Sequence, residues 1–462
     1  MKSVINFGLL TILVAFGGAH PLGLAFQASP GTPSSVPHRP DATALQQLLD
    51  RDDYIGCYKA LGQIDPARFT EAQRQYFLGM MSFHLGHLND NAAPAPALIK
   101  ALESKDKSLT PNQIESALET LGQINIKLTN FGASAQNYDA IDKAFGSQLG
   151  ENEKAIRGEG HLVGLLKSVP RQTIEFSGDF TLARRGLEYP VNIPHRQPDQ
   201  QPSKPFFAVL DTGAEISVLS ASTAKAWGVT MLDGSATLHG YGGGAFSGQP
   251  GFLPALLIGK AELHNVAVYV TADSNLYIPE IKRQTNALLG YSVVSALGRL
   301  TFAKDGSLTV SAQSPARDLR TSATLWLSDH SLLVGLGTKP IVSDGKVTGG
   351  GDTRLFVLDT GSGSTWLTDH YLAEHTDVFH GQLPEVARLS GAGGLREIPA
   401  FAARNAPLFA GDTVILLNGP HVLSQPAGGE AEQFFGVLGQ DVLGLFSSYT
   451  VDFRNMTFTI QR

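Results

Sequence analysis

One pattern occurs twice in this chain, and that repetition restricts the fold more than any other feature. The first copy reads Phe206-Phe207-Ala208-Val209-Leu210-Asp211-Thr212-Gly213-Ala214 and continues to Val218-Leu219-Ser220. The second reads Leu355-Phe356-Val357-Leu358-Asp359-Thr360-Gly361-Ser362 and continues to Trp366-Leu367-Thr368. Each is an apolar run of the kind that forms a buried strand, and each ends in an Asp-Thr-Gly turn. A Gly-rich segment follows in both: Leu238-His239-Gly240-Tyr241-Gly242-Gly243 and Leu389-Ser390-Gly391-Ala392-Gly393-Gly394. An apolar pair then closes on glycine, as Leu288-Leu289-Gly290 and Val437-Leu438-Gly439, 79 and 80 residues after the respective aspartates. Hairpin-like segments from Leu300 to Gly306 and from Thr450 to Asn455 finish the two copies. A single Asp-Thr-Gly is expected by chance about 0.1 times in a chain of this kind. Two of them, set in one frame of matched spacing, indicate a duplicated unit.

The rest of the chain differs in texture. From about Val169 onward, short β-branched and aromatic runs are broken by Gly, Pro, Asn and Asp, which reads as β structure. Between Asp41 and Ser168 the spacing is helical, with Leu45, Leu48 and Leu49 on one face and Tyr76, Phe77, Met80, Met81 and Leu85 on another. Two segments there resemble each other and carry Gly79 and Gly122, small residues that let helices approach closely. The region resembles tetratricopeptide-type helical hairpins, with Asn130 to Ala135 and Tyr138 at the repeat's turn and second helix. A plain helical bundle fits the same pattern.

Composition narrows the class. With 42% apolar and 17% charged residues the chain is globular, and its formal charge of -7 leaves no basic footprint for nucleic acid. Lys2 followed by the apolar run Ile5 to Phe16 reads as a secretory signal, with small residues at Gly17, Ala19, Gly23 and Ala25 as cleavage positions. The run is shorter than the roughly 20 residues a membrane span needs; an uncleaved N-terminal anchor is the alternative. Cys57 is the only cysteine, so no disulfide forms within the chain. The expectation is an exported protein, bacterial periplasmic or secreted, with no integral membrane segment after signal cleavage. Its expected order is a signal over residues 1–25, a Pro/Ser-rich linker over 26–40, a helical domain over 41–168, and β-rich halves over 170–315 and 320–462.

The duplicated frame resembles the aspartic peptidases, which carry Asp-Thr-Gly on a catalytic loop, a Gly-rich flap and an apolar-apolar-Gly segment behind the loop. Gly-x-Gly-Gly in both halves is closer to the retropepsin type, whereas two Asp loops in one chain is the pepsin-like arrangement. The resemblance spans roughly residues 170–462 and implies a multidomain protein. An α-helical, repeat-like N-terminal domain would precede a mainly β, bilobal aspartic-protease region, a double β-barrel. It implies Asp211 and Asp359 as the catalytic pair, with Thr212, Gly213, Thr360 and Gly361 supporting their loops. It also implies flaps at Gly240, Tyr241, Gly242 and Gly243 and at Gly391, Gly393 and Gly394. The halves depart from each other at two points: Ala214 stands against Ser362, and Gly290-Tyr291-Ser292 lacks the aspartate of Gly439-Gln440-Asp441.

Two carboxylates about 3 Å apart cannot both ionise, so they share a proton and can act together as base and acid on a water and a peptide. That chemistry needs neither metal nor cofactor, and none is expected: the 13 His show no ligand spacing, and His-Glu-x-x-His, Gly-x-Ser-x-Gly and P-loop motifs are absent. Cys57 as a nucleophile would need a partner the sequence does not supply. Two functions fit. One is an endopeptidase acting on protein or peptide substrates, with the helical domain available to a protein partner. The other is a weak or inactive peptide-binding scaffold on the same fold. A third arrangement pairs each half with another chain.

Overall fold

The computed structural model describes residues 39–88, 94–146, 149, 153–194, 205–240, 244–278, 283–318, 321–343, 346–391, 394–404, 406–426 and 430–462. The expected signal segment and nearly all of the linker lie outside these. Among the described residues no helix is long and apolar enough to cross a membrane.

The N-terminal region is helical: α1 (Ala42–Leu49), α2 (Tyr54–Leu61), α3 (Glu71–His84), α4 (Pro94–Leu102), α5 (Pro111–Lys127), α6 (Phe131–Phe145) and α7 (Glu153–Leu166). Two of these starts are written locally. Thr70 and Thr110 each accept from the N–H of a glutamine three residues on, and Gln73 and Gln113 accept in return from the threonine N–H. Each such box stabilises its helix by about 1 kcal/mol. The spaced glycines sit where helices meet. A Cβ on Gly79 would lie 2.6 Å from Leu98 of α4, and one on Gly122 would lie 2.7 Å from Tyr138 of α6. Any larger residue would force the pairs apart.

The rest is mainly β, and the strands around the two Asp-Thr-Gly turns pair in one pattern. Phe206–Leu210 leads into Asp211, and Ala287–Leu289 runs parallel to it, with Leu288 opposite Val209. The same Leu288 pairs antiparallel with Val218. In the second half Val437 lies parallel to Val357 and antiparallel to Trp366. Val209, Leu288, Val218, Val357, Val437 and Trp366 are all buried, so each loop is fixed to its own core by the hydrophobic effect.

The halves meet in six antiparallel strands, three from each. Their order is Ser322–Leu327, Thr457–Gln461, Ser448–Asp452, Arg299–Ala303, Ser307–Ser311 and Phe180–Ala183. At the centre a strand of each half pairs with one of the other. Thr301 pairs with Thr450, their hydroxyls 2.9 Å apart. Beside them Phe302 stacks on Tyr449 at 4.7 Å. A local two-fold axis therefore passes by Thr301 and Thr450.

The helical region packs on both halves. His84 of α3 donates from Nδ1 to the carbonyl of Leu327 at 2.8 Å and stacks on Tyr54. Burial pushes its imidazole down to about 4, so it stays neutral. Tyr269, in the first half, donates to the Leu162 carbonyl of α7 at 2.8 Å.

Candidate active site

Each aspartate is anchored first through its own backbone. Asp211 N–H donates to Leu289 O (2.9 Å) and Asp359 N–H to Leu438 O (3.1 Å), so each turn hangs from the strand of its apolar-apolar-Gly segment. The carboxylates are then held by the turns they begin. Gly213 N–H donates to Asp211 Oδ1 at 2.9 Å; Gly361 and Ser362 N–H donate to Asp359 Oδ1 at 2.9 and 2.8 Å.

The two turns bond to each other reciprocally. Thr212 N–H donates to Thr360 Oγ1 (3.1 Å), and Thr360 N–H donates to Thr212 Oγ1 (3.0 Å). Each hydroxyl continues across the junction, Thr212 Oγ1 to Leu358 O (2.5 Å) and Thr360 Oγ1 to Leu210 O (2.7 Å). A Cβ on Gly361 would lie 2.5 Å from Asp211 Cγ, so only glycine admits the first carboxyl against the second turn. The structure thus brings Asp211, Thr212, Gly213, Asp359, Thr360 and Gly361 together at one junction.

Both carboxyls are fully buried, at 0% exposure, and among the described residues no donor outside the pair reaches Asp211 Oδ2 or Asp359 Oδ2. Burial raises both groups, because a charge there loses its water. The Asp359 charge raises Asp211 further, well above the ordinary carboxylate range. Asp359 is pushed up to about 7, with the N–H groups of Ser362 and Gly361 opposing the rise. The pair therefore keeps at least one proton at neutral pH.

Behind the turns one bond is common to both halves. Gly290 N–H donates to Ser217 Oγ at 3.0 Å, and Gly439 N–H donates to Thr365 Oγ1 at 2.9 Å. The second half adds Asp441, whose Oδ1 accepts from Thr365 N–H (2.8 Å), Thr365 Oγ1 (2.7 Å) and Val442 N–H (2.8 Å). Ser292 holds that position in the first half and makes no such brace among the described residues.

Paired strands flank both Gly-rich segments. Ala236–His239 pairs with the start of Ala245–Ile258, and Gly240 follows the first of these strands. Glu385–Gly391 pairs with Gly394–Ala402, closing at Gly391 opposite Gly394, which has φ +127°. Tyr241, Gly242, Gly243 and Gly393 lie outside the described residues. The first hairpin also touches α7: a Cβ on Gly234 would meet Leu165 at 2.6 Å, and His161 Nε2 donates to Ser235 O at 3.0 Å.

Three residues near the first turn were not singled out from the sequence. Glu215, four residues after Asp211, lies 3.7 Å from Lys127 of α5 and 3.3 Å from His330 of the second half. The signals were present but ambiguous: a lone charge between Ala214 and Ile216, and a stripe of Glu119, Gln123 and Lys127 at four-residue spacing on α5. Cys57 is no nucleophile: burial pushes its thiol up to about 12. A cavity of about 670 Å³ between the helical region and both halves is lined by Arg171, Tyr291 and Arg454 among others, and neither aspartate borders it.

A family model described as aspartyl protease matches residues 201–293, the stretch holding the first Asp-Thr-Gly turn, the first hairpin and Gly290. No curated protein matches the chain. The matched stretch supports an aspartyl protease family.

Proposed function

We propose that the chain is an aspartic-type endopeptidase with one site shared by two fused units of the same kind, Asp211 and Asp359 forming the catalytic pair. The single observation that carries this reading is the reciprocal Thr212–Thr360 bonding, which holds two buried carboxyls at one junction. The two carboxyls also hydrogen-bond to each other, the arrangement of a pair that shares one proton. In the singly protonated pair, the ionised carboxylate takes a proton from the water as its oxygen attacks the peptide carbonyl. The protonated partner gives its proton to the developing oxyanion; the carboxyl that took the water's proton then protonates the nitrogen as the C–N bond breaks, while the other takes a proton from the gem-diol hydroxyl as the new carboxyl forms, restoring the singly protonated pair. General acid–base help of this sort contributes roughly 10²- to 10⁴-fold.

The pair is buried, so a peptide would reach it by displacement of the paired strands Ala236–His239 and Ala245–Ile258, and Glu385–Gly391 and Gly394–Ala402. An extended substrate would pair its main chain with the hairpin strands. We further read the helical domain as tetratricopeptide-like hairpins, on the close α3–α4 and α5–α6 packing at Gly79 and Gly122, and the protein as exported.

Hydrolysis of a mixed peptide library from pH 3 to 8 tests the reading. Cleavage blocked by a pepstatin-type inhibitor and weakening above neutral pH, as the shared proton is lost, is the expected result. A folded wild type that cuts nothing across this range would overturn it in favour of a peptide-binding scaffold.

A further inference from the structure

The second Asp-Thr-Gly loop is braced from within its own half by Asp441, whereas the first has only Ser292 at that place. What braces the first loop comes from outside. Lys127 Nζ, at the end of α5, lies 3.7 Å from Glu215 Oε1, both side chains being 1% exposed. The same ammonium donates to Asp329 O at 2.6 Å and sits 5.3 Å from the ring centroid of Tyr291. Tyr291 in turn donates its N–H to Ala214 O at 2.7 Å, in the Asp211 loop. One lysine of the helical region therefore touches both the loop and, at Tyr291, the short helix Tyr291–Ala296 behind it.

Its neighbours complete the seat. With the Gln123 amide turned so that donors meet acceptors, its nitrogen lies 2.9 Å from Glu215 Oε1 and 2.7 Å from Asp329 O, and its oxygen accepts from Tyr138 at 3.0 Å. His330 of the second half reaches Glu215 Oε2 at 3.3 Å and Glu159 Oε2 at 4.0 Å. Gln172, on the connector after α7, donates to Ser292 O at 2.8 Å. The titratable groups around Glu215 are thus Lys127, Tyr138, Glu159, Asp329, His330 and the nearby Glu119. Burial pushes Glu159 and Glu119 up to about 8, so both are largely neutral at pH 7. Donor atoms of Glu159, Glu215 and His330 lie within 4.8 Å of one another, a spacing a metal could span.

We propose that Lys127 is a positioning residue for Asp211, acting through Glu215 and Tyr291, so that the helical region is a working part of the catalytic unit. The inference rests on the peptidase reading for its consequence in turnover, but the placement of Asp211 can be read without turnover.

The test compares Lys127→Met, Glu215→Gln and the double variant in the full chain. Carbon NMR of ¹³C-carboxyl-labelled aspartate follows the pair's titration, assigned by the signals lost in Asp211→Asn. Lys127→Met leaves Glu215 less compensated, and the apparent pKa of the pair should rise by about 0.3–1 unit. Glu215→Gln leaves the ammonium uncompensated, and the value should fall by a similar amount. The double variant should return to the wild-type curve. In turnover, each single variant should lose about tenfold or more in kcat with KM within about twofold, as expected for a displaced carboxylate. A purely structural role would lower stability without opposite shifts. Unmoved titration in Glu215→Gln, or equal shifts of one sign in both single variants, overturns the proposal. Glu215→Gln keeps the side chain's shape and one acceptor oxygen, so it decides the question even if Lys127→Met fails to fold. A wild type without peptidase activity would sink the functional reading, while the opposed titration shifts would still uphold the positioning.

Discussion

The two Asp-Thr-Gly loops share strand pairing, backbone anchors and threonine bonds, yet they are stabilised by different means. In the second half Asp441 accepts three hydrogen bonds and closes the support locally. In the first half the corresponding stretch is open, and Lys127, Gln123 and Gln172 reach it from the helical side. The hairpins differ in parallel: the first rests on α7 through Leu165 and His161, whereas the second packs on its own half, Phe401 against Phe379. Two loops of one pattern are thus held by different neighbours, the second from within its own half and the first from the helical region.

The largest expected effect short of losing the pair itself is on the pH dependence of stability. Asp359 has a raised native value, so its stabilising contribution is complete below the ordinary carboxylate range and is lost as pH rises through about 7. Asp359→Asn removes that penalty. Its stability should therefore gain on the wild type between about pH 4 and 8, by up to a few kcal/mol, in urea titrations at fixed pH steps. A constant difference across that range would mean the carboxyl is not buried as described.

Next in size is Asp441→Ala, which leaves the Thr365 N–H, the Thr365 hydroxyl and the Val442 N–H without their acceptor and should cost about 2–3 kcal/mol. Hydrogen exchange should quicken in the second half and stay unchanged in α5. Faster exchange in α5 as well would erase the distinction between an internal and an external brace.

The smallest effect sharpens the symmetry. Thr212→Val and Thr360→Val each remove a matched set of bonds and should lower stability alike, by about 1–2 kcal/mol. The double variant should cost less than the two together, since each threonine bonds the other. Additive or clearly unequal losses would show that the junction is not reciprocal.

Much of this was legible in the sequence because it is written locally. The Asp-Thr-Gly turns, their apolar strands and the closing glycines lie in short runs, and matched spacing carried the pairing of Asp211 with Asp359. The division into a helical and a β-rich region follows from periodicity alone, and Gly79 and Gly122 stood out because close helix packing leaves no room for a side chain. The six-stranded junction was hidden, because the facing of Thr301 and Thr450 is set by tertiary register. Lys127 and Glu215 were hidden for a related reason. A buried ion pair between distant segments leaves no local pattern, and a lysine in the last turn of a helix ordinarily serves the helix end.

The central claim is one catalytic pair made within a single chain, and mixing tests it most directly. Peptide hydrolysis is measured for the wild type, for Asp211→Asn, for Asp359→Asn and for an equimolar mixture of the two variants. Activity in the wild type alone, with each variant and the mixture down by more than about 10³-fold, is the predicted result. Recovery in the mixture would mean that the halves pair between chains, and near-wild-type turnover in either single variant would mean that the two carboxylates do not share a site.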